Sequence, residues 1–269
     1  MMQFLVLLSV RILILGHSFG ADCTQRLPEL ALEAGMDDVY VARFVKANCS
    51  LEEHWNFYQS DSTCFFFDCP SGQTTFKKKP CSIREAMQQE WDYVIFQNSL
   101  ENEGRYETTQ PYLDRFIEEF KVQAQENGHK VPQFGWNLFW PISKLLEDGS
   151  NSQATYRLSF YGNSSKKAWK AYRKCARNVL AKTEISFVIP VGAAIMAARS
   201  SKYNTPEQKE FTRDGYHMSY SVGRYIAASA WYQVLLFPIS GIKVSELPVG
   251  NAIPDGLKKI AQDAVGKGF

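Results

Sequence analysis

A serine flanked by glycines near the start of the chain is the first group with the chemistry of a nucleophile. Residues 16–20 read GHSFG, follow an apolar run and match the G-x-S-x-G string found around nucleophilic serines. A serine between a strand end and a helix could use the outward backbone N–H groups of that helix to stabilise an oxyanion. The opposing interpretation is that Ser18 only caps a helix that begins near Ala21, since serine is a favoured N-cap.

A histidine with a nearby aspartate lies near the other end of the chain. Residues 213–219 read RDGYHMS, which places Asp214 and His217 in one tight turn. At this spacing the carboxylate can accept a hydrogen bond from imidazole Nδ1, which leaves Nε2 free to take a proton from a hydroxyl group elsewhere. Gly215 gives the turn the backbone freedom it needs. The alternative is a surface turn in which Asp214 caps a helix beginning near Ser219.

The elements around these motifs alternate between strands and helices. Apolar runs predict strands at 11–15, 39–45, 93–96, 133–139 and 186–191. Periodic segments predict helices at 25–34, 82–90, 111–127, 166–182, 222–236 and 255–265. Such alternation is typical of an α/β fold, here a three-layer α/β/α sandwich around a central parallel sheet of about five strands. The serine would then follow the first strand, and the aspartate and histidine would precede the last long helix.

The whole chain, residues 1–269, is expected to form a single domain, because no low-complexity linker or internal repeat divides it. Residues 60–80 interrupt the alternation and predict a hairpin insertion around Ser71 and Gly72. Residues 1–9 contain an apolar run with no basic residue before it and no cleavage site after it. They are interpreted as the remnant of a secretion signal or as a misassigned start.

Composition and charge exclude several classes of function. The net charge of +2 gives no electrostatic footprint for nucleic-acid binding, and the basic run at 77–79 is interpreted as a solvated loop. No apolar stretch reaches the roughly 18 to 20 residues of a membrane span. The cysteines and histidines lack metal-ligand spacing, so no metal or cofactor is expected, although Cys64, Cys69 and Cys81 could include one disulfide. A secreted or periplasmic location is favoured over a cytoplasmic one, and the oligomeric state stays open.

Together the two motifs resemble those of the SGNH (GDSL-type) hydrolase superfamily. Its members carry a nucleophilic serine after the first strand and an Asp-x-x-His pair before the last long helix, and the resemblance runs from Arg11 to about Leu236. The chain is similar to a poorly characterised bacterial branch with G-x-S-F and D-G-x-H-x-S. The resemblance implies a flavodoxin-like sandwich in which Ser18 is the nucleophile, His217 the general base and Asp214 the residue that orients the base.

The same resemblance implies an oxyanion hole formed by the Ser18 backbone N–H, a backbone N–H after strand two and a side-chain amide after strand three. At the second position the related branch has glycines and this chain has Asn48, which tolerates a left-handed backbone. Cys49 could hold the same place. At the third position Gln97 resembles the glutamine of carbohydrate O-acetylesterase branches. Asn98 is the alternative, because strand alternation lets only one of the two side chains face the site.

The resemblance further implies hydrolysis of an ester through an acyl-enzyme, with a small-molecule or carbohydrate ester as substrate and removal of an O-acetyl group as the simplest case. His17, His54, Trp55 and Trp136 are candidate substrate-binding residues, and Trp140 is a further ring on which a sugar could stack. For the histidines and tryptophans a structural role in the core is the alternative. Two other functions stay open: acyl transfer to a sugar hydroxyl by the same triad, and carbohydrate binding without catalysis.

Overall fold

Seven strands form one sheet at the centre of the molecule. The computed structural model describes residues 9–63, 65–248, 253–267 and 269. The strands are β1 (Val10–Gly16), β2 (Val39–Val45), β3 (Phe66–Cys69), β4 (Lys77–Lys79), β5 (Tyr93–Phe96), β6 (Gln133–Asn137) and β7 (Phe187–Ile189). Their order across the sheet is β4-β3-β2-β1-β5-β6-β7. The strands β2, β1, β5, β6 and β7 run parallel to one another, whereas β3 is antiparallel to β2 and β4 is antiparallel to β3.

The parallel part of the sheet consists of the strands that the apolar runs predict, and the expected α/β sandwich is confirmed. The sheet has seven strands rather than about five. The two additional strands come from the segment at 60–80, which adds β3 and β4 beside β2 as an antiparallel hairpin. The basic run at 77–79 is therefore the edge strand of the sheet, not a loop, and its three lysines are exposed.

Helices cover both faces of the sheet. They are α1 (Ser18–Thr24), α2 (Leu27–Glu33), α3 (Leu51–Gln59), α4 (Ile83–Met87), α5 (Tyr112–Glu126), α6 (Ser152–Ser159), α7 (Ser165–Lys182), α8 (Val191–Arg199), α9 (Val222–Leu235), α10 (Phe237–Ser240) and α11 (Asp255–Gly266). Short 3-10 helices lie at Tyr106–Thr108, Lys144–Leu146, Pro206–Phe211 and Val244–Glu246. One layer contains α1, α2, α8, α9 and α11, and the other contains α3, α4, α5 and α7. Among the described helices, none has both the length and the hydropathy that crossing a bilayer requires.

The central strand β1 is buried almost throughout, which explains its nearly continuous apolar sequence, VRILILG. It pairs with β2 on one side and with β5 on the other, so that Leu15 lies between Phe44 and Phe96. The chain leaves β1 toward β2 and later returns to β5, and open α/β sheets bind ligands at such a reversal, outside the carboxyl ends of the strands. The sheet therefore places the residues that follow β1 and β5 next to each other at its C-terminal edge.

The cysteines of the hairpin segment do not form the disulfide that their proximity in sequence suggested. Cys69 and Cys81 are free thiols in the interior, and Cys64 lies outside the described residues. The described part of this segment thus contains no disulfide. Residues 1–8, most of the segment interpreted as a signal remnant, also lie outside the described residues.

Candidate active site

Ser18 is the first residue of α1 and follows β1 after a single intervening residue. The helix is capped by His17, whose Nδ1 accepts a hydrogen bond from the Phe19 N–H at 3.2 Å. The interpretation of Ser18 as the N-cap is therefore wrong. Because the cap is supplied by its neighbour, the Ser18 hydroxyl is free for another partner, and it lies 2.9 Å from His217 Nε2.

The Asp-x-x-His motif forms the tight turn that its spacing predicts. Asp214 Oδ2 lies 2.6 Å from His217 Nδ1, and Asp214 Oδ1 accepts the backbone N–H groups of Tyr216 at 3.1 Å and His217 at 2.7 Å. Partial burial raises the pKa of Asp214, but the hydrogen bonds from the ring and backbone of His217 outweigh this effect and hold the pKa below its usual value. An ionised carboxylate at Nδ1 fixes the tautomer in which Nε2 accepts the Ser18 proton.

Gly215 allows the turn to pack closely against the rest of the site. Its φ of +90° lies in the left-handed region, and a Cβ at this position would stand 2.4 Å from the Leu146 side chain. The Gly215 carbonyl accepts the Ser143 N–H at 2.8 Å. Any side chain at this position would displace the turn and with it the imidazole of His217.

A buried aspartate that sequence analysis overlooked joins α1 to this turn. The Asp22 carboxylate, 1% exposed, accepts the Met218 N–H at 2.9 Å, Arg213 Nη1 at 3.1 Å and Arg224 Nε at 2.7 Å. Asp22 lies one helical turn after Ser18, and Met218 is the neighbour of His217. This carboxylate therefore sets the distance between the serine and the imidazole. The available signal was an acidic residue on the same helix face as Ser18.

Trp140 contacts the turn that carries Asp214 and His217. Its Nε1 donates a hydrogen bond to the Tyr216 carbonyl at 2.7 Å, and its ring stacks on Phe19 with 4.4 Å between centroids. The side chain is fully buried. The structure thus gives Trp140 a positioning contact with the turn rather than an open face for a sugar.

The backbone at Asn48 has the left-handed conformation that its residue type predicts, with a φ of 50°. Its side chain joins the loops after β2 and β5: Nδ2 donates to Glu101 Oε2 at 2.8 Å, and Oδ1 accepts the Leu100 N–H at 3.0 Å. The backbone N–H groups of Asn48 and Ser18 make no hydrogen bond with other described residues. Both are therefore available as donors at the C-terminal edge of the sheet.

Gln97 has an unused amide donor, whereas the Asn98 amide is occupied. Gln97 is fully buried, its Oε1 accepts Asn137 Nδ2 at 2.8 Å, and its Nε2 has no partner among the described residues. The amide lies against Gly16 and Gly20, where a Cβ would approach it to 2.8 Å and 3.0 Å respectively. Asn98 Nδ2, by contrast, donates to Thr108 Oγ1 at 3.1 Å.

The four candidate substrate-binding residues, His17, His54, Trp55 and Trp136, all lie in the interior. Their exposed fractions are 0, 1, 8 and 0%. The two imidazoles donate from Nε2 to backbone carbonyls, His17 to Asn98 at 3.0 Å and His54 to Gly16 at 2.9 Å. Burial lowers the pKa of His17 to about 3 and that of His54 to about 4, so both rings stay neutral. These positions correct the expected contact with substrate, because all four side chains lie in the core.

A buried carboxyl group, which the sequence did not single out, holds the loop after β5. Glu103 accepts the Asn98 N–H at 3.2 Å and Trp136 Nε1 at 3.2 Å, and burial raises the pKa of Glu103 well above its ordinary value. Since the Asn98 carbonyl binds His17, these contacts continue to the cap of α1. Within the described ranges no three histidine, cysteine or acidic side chains come together as a metal site would require.

The fold and this site together define the class of the chain: a flavodoxin-like α/β sandwich that carries hydrogen-bonded serine, histidine and aspartate side chains at the C-terminal edge of its parallel strands. The model of a family described as a domain of unknown function, DUF4886, matches residues 11–248, and the chain belongs to this family. Among curated proteins, none matches this sequence.

Two solved structures share the fold. A DUF4886 family protein from Bacteroides uniformis ATCC 8492 is 22% identical, with a TM-score of 0.80 over 96% of this chain and 94% of that one. A protein from Slackia heliotrinireducens, described as a candidate SGNH hydrolase, is 18% identical, with a TM-score of 0.51 over 83% of this chain and 97% of that one. Both likenesses show a shared fold.

Proposed function

We propose that this protein is a serine-dependent ester hydrolase that removes short acyl groups, most simply O-acetyl groups, from a carbohydrate through an acyl-enzyme. The observation that carries the proposal is the hydrogen-bonded chain from Asp214 through His217 to Ser18, with distances of 2.6 Å and 2.9 Å. It joins opposite ends of the sequence at the sheet edge where α/β folds bind ligands. Each member has the partner that nucleophilic catalysis requires.

In the acylation step His217 Nε2 takes the Ser18 hydroxyl proton while Oγ forms a bond to the ester carbonyl carbon. The carbonyl electron pair moves onto oxygen and gives a tetrahedral oxyanion. Asp214 accepts the hydrogen bond from Nδ1–H and stabilises the imidazolium, and its lowered pKa keeps it ionised for this role. When the oxyanion collapses, the bond to the alcohol oxygen breaks and that oxygen takes the proton from Nε2.

Water then hydrolyses the acyl-enzyme, and His217 again acts first as a base and then as an acid. His217 Nε2 removes a proton from water as the water oxygen attacks the acyl carbon. Collapse of the second tetrahedral intermediate breaks the bond to Ser18 Oγ, which recovers the proton from Nε2. The products are the free alcohol and a carboxylic acid, and no cofactor enters the balance.

We assign the hydrogen bonds that stabilise the oxyanion to the backbone N–H groups of Ser18 and Asn48 and to Gln97 Nε2. Two features support this assignment: the two N–H groups make no hydrogen bond with other described residues, and Gln97, which is fully buried as Asn98 is, has a donor without a described partner while Asn137 orients its amide. An unpaired buried amide costs stability, and such a cost is commonly retained where a donor serves a reaction. Gln97 is therefore preferred over Asn98 as the side-chain donor.

A short acyl group fits the surroundings of the serine best. The rings of Phe139 and Trp140 pack against Phe19, the residue that follows Ser18, with centroids 5.1 Å and 4.4 Å from that of Phe19, and all three side chains are buried. Tyr216 lies half-buried next to His217, with 4.5 Å between ring centroids. The resemblance of Gln97 to the glutamine of carbohydrate O-acetylesterase branches supports a sugar as the alcohol component.

A fluorophosphonate probe tests the proposal directly, because it phosphonylates only an activated serine. The full-length protein should be labelled, and Ser18→Ala should lose the label. Ser71→Ala is the matched control, since Ser71 lies in the hairpin turn and should retain labelling. Labelling of Ser18→Ala to the level of the unsubstituted protein would refute Ser18 as the nucleophile.

A further inference from the structure

Helix α6 places an arginine without a protein partner beside the catalytic turn. The Arg157 guanidinium lies 5.7 Å from the centroid of the Tyr216 ring, and this ring in turn contacts the His217 ring. Arg157 forms no hydrogen bond or ion pair with other described residues, and its side chain is partly exposed. A guanidinium thus lies beside the turn that carries His217, with its donors unused.

Other arginines of the described chain show how unusual this position is. Most of them donate to a carboxylate or a carbonyl, as Arg26 does to Glu29 at 2.9 Å. Arg115, Arg157 and Arg173 do not, and each of these three lies over an aromatic ring. Only the ring beneath Arg157 belongs to the turn that carries His217.

None of the described acidic side chains forms an ion pair with the Arg157 guanidinium, and those of the site have other hydrogen-bond partners. Asp214 binds His217, Glu101 binds Asn48 at 2.8 Å, and Glu147 accepts the Ser165 N–H at 2.6 Å. Burial is the main cause that lowers the pKa of His17, and the charge of Arg157 adds to it, which places this charge within electrostatic range of the residue preceding Ser18.

We propose that Arg157 binds an anionic group of the substrate, so that the ester hydrolysed at Ser18 carries a carboxylate, a phosphate or a sulfate. The inference rests on the proposed ester hydrolysis and names its substrate class. A guanidinium that lies over a ring and has no hydrogen-bond partner among the described residues keeps its N–H groups free, and two of them match two oxygens of such a group in a bidentate contact. The Tyr216 ring beneath it limits the orientations of the side chain.

The experiment compares two acetyl esters of similar size, 4-acetoxybenzoate and its uncharged methyl ester. Arg157→Gln should lose about 10- to 100-fold more in kcat/KM for the anionic ester than for the uncharged one, chiefly through KM, as expected for loss of a charge-assisted hydrogen bond. Arg115→Gln is the matched control, because it removes an equally unpaired guanidinium over Trp55, and it should leave both esters unaffected. Equal losses for the two esters would overturn the proposal.

Equilibrium binding separates this inference from the proposed function. In a Ser18→Ala background, which cannot turn over, 4-acetoxybenzoate should bind more tightly than its methyl ester. Adding Arg157→Gln should remove that preference, and no preference in the Ser18→Ala protein would overturn the role of Arg157. Fluorophosphonate labelling of Arg157→Gln reports the triad alone, so a protein that binds the anion but is never labelled contradicts the hydrolase and not the anion site.

Discussion

The buried imidazole of His54 should make the fold sensitive to mild acid. His54 lies in α3 with Nε2 donating to the Gly16 carbonyl and Nδ1 without a partner among the described residues, and burial lowers its pKa from 6.5 to about 4. Between pH 6.5 and about pH 4, His54 is protonated in the unfolded chain and neutral in the folded protein. The free energy of unfolding therefore falls as the pH falls through this window, by about 2 kcal/mol between pH 7 and pH 5.

The variant His54→Gln isolates this contribution, because an amide can donate to Gly16 but does not titrate. At pH 7 it should be less stable than the unsubstituted protein by about 1–3 kcal/mol, from altered packing and a longer hydrogen bond. At pH 5 the difference in free energy of unfolding between the two proteins should be smaller by about 2 kcal/mol, because only the unsubstituted protein is destabilised by protonation of His54 in its unfolded state. Urea unfolding at pH 7, 6 and 5, with equal m-values, measures the gap. A gap that stays constant over this range would refute the argument.

Two further predictions concern the groups that hold the site. Gln97→Ala should lower kcat by about 100- to 1,000-fold with KM nearly unchanged, because it removes the side-chain donor, whereas Asn98→Ala, at a side chain that already donates to Thr108, should lower kcat much less. Steady-state kinetics on an aryl acetate measures this, and full activity in Gln97→Ala would assign the oxyanion to backbone donors alone. Asp22→Asn should lower kcat and reduce the free energy of unfolding by about 2–3 kcal/mol, less than for a fully buried ion pair because Arg213 and Arg224 remain partly in water. Asp38→Asn, at a partly exposed carboxylate that accepts the Ser71 hydroxyl of the hairpin, is the control in urea unfolding, and equal losses in the two variants would contradict a special role for Asp22.

The strands of the sheet were predictable because burial on both faces demands continuous apolar runs, and VRILILG in β1 is such a run. The helix α3 was overlooked, although Ser50 and Glu53 form a capping box that the sequence displays. The helix α8 was missed for a different reason: VGAAIMAAR is apolar on most sides and has no clear helical period. Local signals thus identified the amphipathic and fully buried elements, and the ambiguous short segments required the tertiary fold.

The proximity of Ser18, His217 and Asp214 was predictable from motifs, but the residues that position them were not. Asp22, Trp140 and Glu103 act through contacts with residues far away in sequence, and no spacing rule reveals such contacts. His17 and His54 show the converse, since their residue type suggested chemistry whereas burial makes them neutral supports. Residue type indicates what a side chain can do, and only its environment decides whether it does so.

The edge strand β4 also bears on self-association by strand addition. An open sheet ends in unpaired backbone groups, which offer a template on which a neighbouring chain can extend the sheet. Here the hairpin places Lys77–Lys79, all exposed, at that edge. A second copy pairing there in antiparallel fashion would bring its own lysines to this edge. Lys79 is paired with Asp68, but Lys77 and Lys78 form no ion pair with described residues, and like charges facing each other across strands repel. The hairpin of β3 and β4 thereby disfavours strand pairing between molecules at this edge of the sheet.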